Sequence, residues 1–221
     1  MLCFFGGIVM VKFIIVRHGF SLGNKEGRFT GQLDVPLDEI GYAQAECAAK
    51  HILDNFKIDV IYSSELSRAY DTALPVAKAL GLEINRRKGL NEVDVGLWAG
   101  KLIDDVEKEF PESFALYKAS PGLSHFDGGE SYAELRERVV AEFHKLAEEN
   151  EGKTVLVAVH GGVIRSLVAA WLDIPLERLT DVPRASNASI TVAEYETGKA
   201  KLTLIGYTDH LVDKTTEVGV K

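Results

Sequence analysis

The chain has 221 residues and a mass of 24.3 kDa, and 46% of its residues are hydrophobic and 26% charged. These are ordinary values for a globular protein, so they exclude a disordered chain, a collagen and a coiled-coil rod. The net charge of −8 argues against a general nucleic-acid-binding protein, because an acidic surface repels polyanions.

Residues 1–11 are almost wholly apolar. The run is too short to span a bilayer and no Lys or Arg precedes it, which argues against a membrane anchor and a signal peptide. We expect a short extension ahead of the first strand, and both Met1 and Met10 fit as the natural start. The cysteines, Cys3 and Cys47, cannot form a disulfide framework, which predicts a reduced, cytoplasmic protein.

The first half of the chain predicts two strands, each followed by a helix. The strands are short β-branched runs, and the helices carry apolar residues on one side. Asp38 is placed to cap the first helix, whereas Ser63 or Ser64 is expected to cap the second, which ends at Gly81. The predicted ranges are 12–16, 38–53, 59–62 and 63–80.

The segment 93–130 has a different pattern, with short amphipathic pieces and a turn-rich end. It predicts a helical insertion that covers a site. Ser131 and Glu134 form a capping-box pattern that opens a long helix. The later predicted elements are the strongest strand at 154–159, a helix to about 172, and two last strands near 189–194 and 202–206.

Alternating strands and helices predict an α/β fold, here a three-layer α/β/α sandwich with a mostly parallel central sheet. We expect a single domain over 1–221 with 93–130 as the insertion. Two of the strands run into the pairs His18-Gly19 and His160-Gly161. Because ligands of open α/β sheets bind beyond the carboxyl ends of the strands, these histidines are expected to face each other.

Several common functional motifs are absent from the sequence. There is no GxSxG, HExxH or GxGxxG, and Gly152-Lys153-Thr154 lacks the first glycine of a phosphate-binding loop. The six histidines lack metal-ligand spacing. Neither a metal site nor a cofactor is predicted.

The remaining motifs resemble the histidine phosphatase superfamily, in its phosphoglycerate-mutase-like branch. An Arg-His-Gly triplet alone is a weak signal, but here several stretches occur in the family's order over about 150 positions. They are VRHGFSLGN (16–24), FTGQLDVPL (29–37), SSELSRAYDTA (63–73), LNEVDVGLWAG (90–100), GGESYAELRERV (128–139) and VAVHGGVIR (157–165).

The resemblance implies that His18 attacks phosphorus and becomes a phosphohistidine. It also implies that Glu92 protonates the leaving oxygen and later activates water. A neutral imidazole is a competent nucleophile near pH 7 if its other nitrogen is held as a donor. The alternative role for His18 is that of a structural histidine at a strand end, and the alternative for Glu92 is that of a solvated carboxylate on a loop.

The resemblance also implies a set of phosphate ligands. Arg17, Arg68 and His160 would bind the phosphoryl oxygens, and Asn24 would hydrogen-bond one of them. Arginine's planar fork suits this anion, and the cations take the place of a metal ion. The predicted phosphate-binding set also contains Thr30, Gly31, Gly161 and Asn187, the last of which is equally a candidate turn former.

The sequence departs from the family pattern at several positions. Phe20 stands where an acidic residue is common. The Arg-His-Tyr run that mutases carry after the acid is missing after Glu92, and no arginine pair occurs between 93 and 130. A mutase would need those cations to hold a second phosphate or a carboxylate, so their absence favours the phosphatases.

The predicted function is therefore hydrolysis of a small organic phosphate. The alternatives are a cofactor-dependent phosphoglycerate mutase and a catalytically silent module that binds phosphorylated ligands. The expected partner is a small phosphorylated metabolite, and the sequence is compatible with a homodimer. Candidates for the pocket wall are Trp98, Phe110, Phe114, Tyr117, Lys118 and Phe126.

Overall fold

The computed structural model describes residues 10–211. Of the predicted amino-terminal extension, residues 1–9, with Cys3, lie outside this range, whereas Val11 already belongs to the first strand. The strands are β1 (Val11–Arg17), β2 (Val60–Ser63), β3 (Ile84–Arg86), β4 (Thr154–Val159), β5 (Ile190–Glu196) and β6 (Lys199–Tyr207). The α-helices are α1 (Leu22–Glu26), α2 (Glu39–Asn55), α3 (Ser67–Leu80), α4 (Ile103–Glu109), α5 (Pro111–Ala119), α6 (Tyr132–Glu149) and α7 (Gly161–Trp171).

The described strands form one sheet in the order β3-β2-β4-β1-β5-β6. Strands β3, β2, β4 and β1 are parallel, whereas β5 pairs antiparallel with β1 and β6 antiparallel with β5. This mostly parallel sheet confirms the predicted fold class. Strand β3 was not predicted, because its sequence, Ile-Asn-Arg, is too short to show an alternating pattern.

Helices cover both faces of the sheet. Side chains alternate along a strand, so Phe13 and Ile15 of β1 pack with α6 and α7, whereas Ile14 and Val16 pack with α2 and α3. A strand buried on both faces needs a continuous apolar run, which is what β1 has. The three predicted layers are therefore present.

The ends of β1 and β4 lie side by side. Arg17 is paired with Val159, and the backbone N–H of His18 donates to the Val159 carbonyl at 2.9 Å. His18 and His160 therefore leave the sheet at the same edge.

The helix caps agree with the sequence pattern except at α3. Asp38 accepts a hydrogen bond from the Gly41 N–H at 2.9 Å, and Ser131 and Glu134 form the predicted capping box. The prediction that Ser63 or Ser64 caps α3 was wrong, since α3 begins at Ser67 without a side-chain cap. The Ser64 hydroxyl instead contacts His160 at 2.7 Å.

The segment 93–130 contributes α4 and α5, and its aromatic residues join the core on the α6–α7 side of the sheet. Trp98 packs edge-on against Phe126 and Phe29, with ring centroids 5.0 Å apart in each pair. The division into a single domain with this segment as a cap stays a prediction.

Candidate active site

The two predicted histidines meet at the carboxyl edge of the sheet. The ring centroids of His18 and His160 lie 5.2 Å apart with the rings tilted by 55°. Both residues are buried, His18 being 4% exposed. The predicted juxtaposition of these side chains is thus found in the structure.

One nitrogen of the His18 ring has a fixed partner. Nδ1 lies 2.7 Å from the Gly19 carbonyl oxygen. A carbonyl only accepts hydrogen bonds, so Nδ1 carries the proton in this contact and Nε2 keeps its lone pair. Burial, and then the positive charges of Arg68 and Arg17, hold the pKa of His18 well below its usual 6.5. The ring is therefore neutral at pH 7 and retains a nucleophilic nitrogen.

The loop after His18 is clamped from several sides. The Gly19 N–H donates to the Thr72 hydroxyl at 2.9 Å, and this hydroxyl donates to the Arg68 carbonyl at 2.7 Å. Gly19 also approaches α2 so closely that a Cβ on it would lie 2.5 Å from the Gly41 carbonyl oxygen. The glycine of the Arg-His-Gly triplet is therefore required for this packing.

Two arginines stand beside the histidines, and each is anchored through its terminal nitrogens. Arg68 donates to the carbonyls of Leu33 and Gly31, at 2.8 Å each, and Arg17 donates to the Ala185 carbonyl at 2.6 Å. The Nε atoms of both arginines are buried without a partner among residues 10–211. Burial lowers the pKa of Arg17 and lowers that of Arg68 to about 10, so both remain charged at pH 7.

His160 also retains an unused nitrogen. Its Nε2 contacts the Ser64 hydroxyl, and its Nδ1 is buried with no partner within the described part of the chain. Burial, then the charge of Arg68, holds the pKa of His160 well below 6.5. This ring is therefore neutral at pH 7, whereas the sequence interpretation treated it as one of the groups that supply positive charge.

Glu92 lies across from the start of α7. One carboxylate oxygen accepts from the Gly162 N–H at 3.1 Å and the other from the Val93 N–H at 2.9 Å. The Glu92 carbonyl accepts from Gln32 at 3.1 Å, and Arg138 donates to the carbonyls on the preceding loop. Arg138 was missed as a site residue, although it lies within the GGESYAELRERV stretch.

The two asparagines bind each other. Asn187 donates to the Asn24 side-chain oxygen at 3.2 Å and to the carbonyls of His18 and Gly19 at 3.0 and 3.2 Å. Asn187 therefore ties the segment before β5 to the His18 loop, and its role toward phosphate stays a prediction.

A cleft of about 360 Å³ opens at this edge of the sheet. Predicted site residues on its wall are Arg17, Asn24, Thr30, Gly31, Glu92 and Gly161. Of the candidate wall residues, Phe114, Tyr117, Lys118 and Phe126 line the cleft, whereas Trp98 and Phe110 pack behind it. Residues on the wall that the sequence analysis did not single out include Arg28, Tyr132, Arg165 and Arg184.

The described residues hold neither a metal-binding cluster nor a membrane-spanning helix. Among residues 10–211, no group of three or more His, Cys, Asp and Glu side chains is arranged to hold a metal ion. No helix in the same range is long and apolar enough to cross a membrane.

Comparisons with known proteins identify the family of the chain. A family model described as the histidine phosphatase superfamily (branch 1) matches residues 13–208. Phosphoserine phosphatase 1 of Hydrogenobacter thermophilus is 36% identical over 91% of this chain and 95% of that protein. The 2,3-bisphosphoglycerate-dependent phosphoglycerate mutase of Mesorhizobium japonicum is 37% identical over 83% of this chain and 96% of that protein.

The structure also has known counterparts. YhfR of Bacillus stearothermophilus superimposes with a TM-score of 0.87 and 29% identity, covering 91% of this chain and 99% of that chain. The Arg-His-Tyr run expected of mutases is absent after Glu92, and the match to the phosphoserine phosphatase extends over nearly the whole of both proteins. The chain is a phosphoric monoester hydrolase and belongs to the histidine phosphatase superfamily, branch 1.

Proposed function

We propose that the chain hydrolyses small phosphate monoesters through a phosphohistidine on His18. One observation carries the proposal: a buried, neutral imidazole with Nδ1 bound to the Gly19 carbonyl stands beside the buried, charged Arg68 and the half-buried, charged Arg17. Such a ring is ready to attack, and the arginines attract the dianion on which it acts.

In the first step, His18 Nε2 attacks phosphorus in line with the ester oxygen. The P–N bond forms as the P–O bond breaks, and the leaving oxygen takes a proton from Glu92. The unpartnered Nε–H groups of Arg17 and Arg68 are donors for the phosphoryl oxygens, which carry the charge of the transition state.

In the second step, water attacks the phosphohistidine. Glu92, now a carboxylate, takes a proton from the water while the P–N bond breaks. Its two hydrogen bonds, from Gly162 and Val93, keep the carboxylate in place for both proton transfers. His18 returns to its neutral form and inorganic phosphate is released.

His160 acts as a donor to the bound phosphoryl group in this scheme. An opposite charge nearby favours the protonated imidazole, so a bound dianion raises the pKa of His160. The contact with Ser64 positions the ring, and the buried Nδ1 is the atom left to bind oxygen.

We further propose that the reaction takes place in the cytoplasm, with phosphoserine as the first substrate to test. The Hydrogenobacter relative is named a phosphoserine phosphatase, and Cys47 is a free thiol, which suits a reducing compartment.

Comparing two leaving groups tests the proposal. Glu92→Gln keeps the size of the side chain but cannot transfer the proton, so phosphoserine hydrolysis should slow by about 10²- to 10⁴-fold. With p-nitrophenyl phosphate, formation of the phosphohistidine should suffer much less, and a burst of nitrophenol should precede a slow steady state. The matched control is Glu112→Gln, an exposed position on α5, which should behave like wild type.

Two outcomes would contradict the proposal. Equal losses on both substrates without a burst would make Glu92 a structural residue. A wild-type protein that interconverts phosphoglycerates and releases almost no phosphate would be a mutase.

A further inference from the structure

The cleft carries more positive charge than the phosphate clamp uses. Its cationic wall residues are Arg17, Arg28, Lys118, Arg165 and Arg184, whereas Glu92 is its only acidic one. This excess occurs in a chain whose net charge is −8. Arg28 is paired with Glu26, and Arg17 belongs to the phosphate clamp. The three remaining wall cations, Lys118, Arg165 and Arg184, have no carboxylate partner among residues 10–211.

Arg165 is the most constrained of these three. The residue is 8% exposed, and its Nε donates to the carbonyls of Leu179 and Val182 at 3.0 and 2.9 Å. Its two terminal nitrogens make no hydrogen bond or ion pair within the described residues. A guanidinium that is held in place, mostly buried and left without a counterion is a preorganised site for an anion.

Arg184 and Tyr132 complete the group. Arg184 and Tyr132 line the same cleft as Arg165 and Arg17. Its guanidinium has no partner in the part of the chain that is described. Tyr132 is buried, and burial raises its pKa well above 10, so its hydroxyl stays a neutral donor at pH 7.

The position of this group relative to the phosphate clamp suits a small bifunctional ester. Arg165 follows Gly161 by four residues on α7, so the two lie on one face of the helix. The helical rise separates them by about 6 Å along the axis, a distance that a short carbon backbone spans. The cleft, at about 360 Å³, also has the size for such a ligand.

We propose that Arg165, Arg184 and Tyr132 form an anion subsite that binds a carboxylate of the substrate. The inference rests on the proposed phosphatase chemistry and narrows the substrates to small phosphate monoesters that carry a carboxylate. In this proposal, Arg165 of α7 and Arg184 of the loop before β5 supply cations for a second anion in place of the arginine pair that is missing from 93–130.

Two substrates that differ only in the carboxylate test the subsite. Phosphoserine and phosphoethanolamine both carry an ammonium group, so their kcat/KM ratio reports recognition of the carboxylate. We expect wild type to prefer phosphoserine by about 10- to 100-fold, the range of a hydrogen bond to a charged group. Arg184→Gln should remove most of this preference, mainly through a higher KM for phosphoserine.

Control variants separate the subsite from general charge and from folding. Arg178→Gln removes one positive charge from an exposed residue paired with Asp181, outside the cleft wall, and should keep the preference. Arg165→Lys is the second subsite variant, with thermal melting to check the fold because Arg165 also holds two backbone carbonyls. It should lower the preference without abolishing it, since an ammonium keeps the charge and loses the fork.

The outcomes separate this inference from the proposed function. If wild type hydrolyses p-nitrophenyl phosphate but shows no preference for phosphoserine, or if Arg184→Gln keeps that preference, the subsite is wrong while the phosphatase stands. If neither p-nitrophenyl phosphate nor phosphoserine is hydrolysed, the proposed function itself is wrong. A larger preference for fructose 1,6-bisphosphate over fructose 6-phosphate, lost in Arg184→Gln, would assign the subsite to phosphate and overturn the carboxylate.

Discussion

Replacing Gly162 with alanine should disable the proposed acid while leaving the fold intact. A Cβ at this position would lie 2.5 Å from a carboxylate oxygen of Glu92, whereas ordinary contacts begin at 3.4 Å. The carboxylate must therefore move by about 0.9 Å, and a misplacement of about 1 Å costs about 10²-fold in rate. The same movement weakens the hydrogen bond from the Gly162 N–H.

The expected loss depends on the leaving group. For phosphoserine, kcat should fall by about 10²-fold, because its alkoxide needs a proton as it departs. For p-nitrophenyl phosphate, a stopped-flow experiment should show a burst close to that of wild type, followed by slower turnover. Thermal stability should be unchanged or higher, since alanine is a better helix former than glycine by about 0.5–1 kcal/mol.

A double-mutant cycle locates the effect. If Gly162→Ala acts by displacing the carboxylate, it should add little to the loss already caused by Glu92→Gln. Additive losses, or equal losses on both substrates for Gly162→Ala alone, would refute the reasoning. A lower melting temperature would show that the methyl group disturbs the fold rather than Glu92.

Further predictions concern the Glu92 loop, pH and metal ions. Arg138→Met removes the donors to the Gly89 and Asn91 carbonyls and the ion pair with Glu130. A phosphate-release assay should therefore show about 10-fold lower kcat, and melting should show a free energy of unfolding lower by about 1–3 kcal/mol. An unchanged kcat would exclude a role of Arg138 in positioning the Glu92 loop. Because the pKa of His18 and that of His160 are lower in the folded protein, each should reduce the free energy of unfolding by about 1.4 kcal/mol per pH unit as pH falls below 6.5. Denaturant titrations at several pH values below 6.5 give the unfolding free energy as a function of pH. This free energy should change less steeply with pH in His18→Asn than in wild type, and an equal pH dependence would contradict the lowered pKa of His18. Activity should survive exhaustive chelation, since arginines meet the phosphate charge; activity that is lost and then restored by a metal ion would overturn that assignment.

Strand patterns and local motifs predicted the part of the site that lies at strand ends. Strands β1 and β4 are short apolar runs, and the residues after them, His18 and His160, must emerge at one edge of a parallel sheet. The loop position of Glu92 followed from its motif. Which atoms hold these side chains could not be predicted, because Thr72 and Arg138 reach the site from helices distant in sequence.

Sequence patterns could not predict the role of a residue where that role depends only on tertiary contacts. A serine at a strand end is both a good helix cap and a good side-chain ligand, and the contact of Ser64 with His160 settles its role. The same types of aromatic residue line a cleft and pack behind it. The sequence therefore could not show that Phe114 lines the cleft whereas Trp98 packs behind it. Arg184 lies in a loop without periodicity, and its place on the same cleft wall as Arg165 arises only from the fold.

The central claim is that phosphate passes through His18, and mapping the phosphorylated residue tests it most directly. Wild type should be mixed with labelled p-nitrophenyl phosphate and quenched in alkaline denaturant, because phosphohistidine is labile in acid. Trypsin cleaves after Arg17 and Lys25, so His18 is the only histidine of the peptide 18–25, whereas His160 falls in the peptide 154–165. We predict the label on peptide 18–25 of wild type and none on the His18→Ala protein; label on peptide 154–165, or turnover by His18→Ala above about a thousandth of the wild-type rate, would contradict the account.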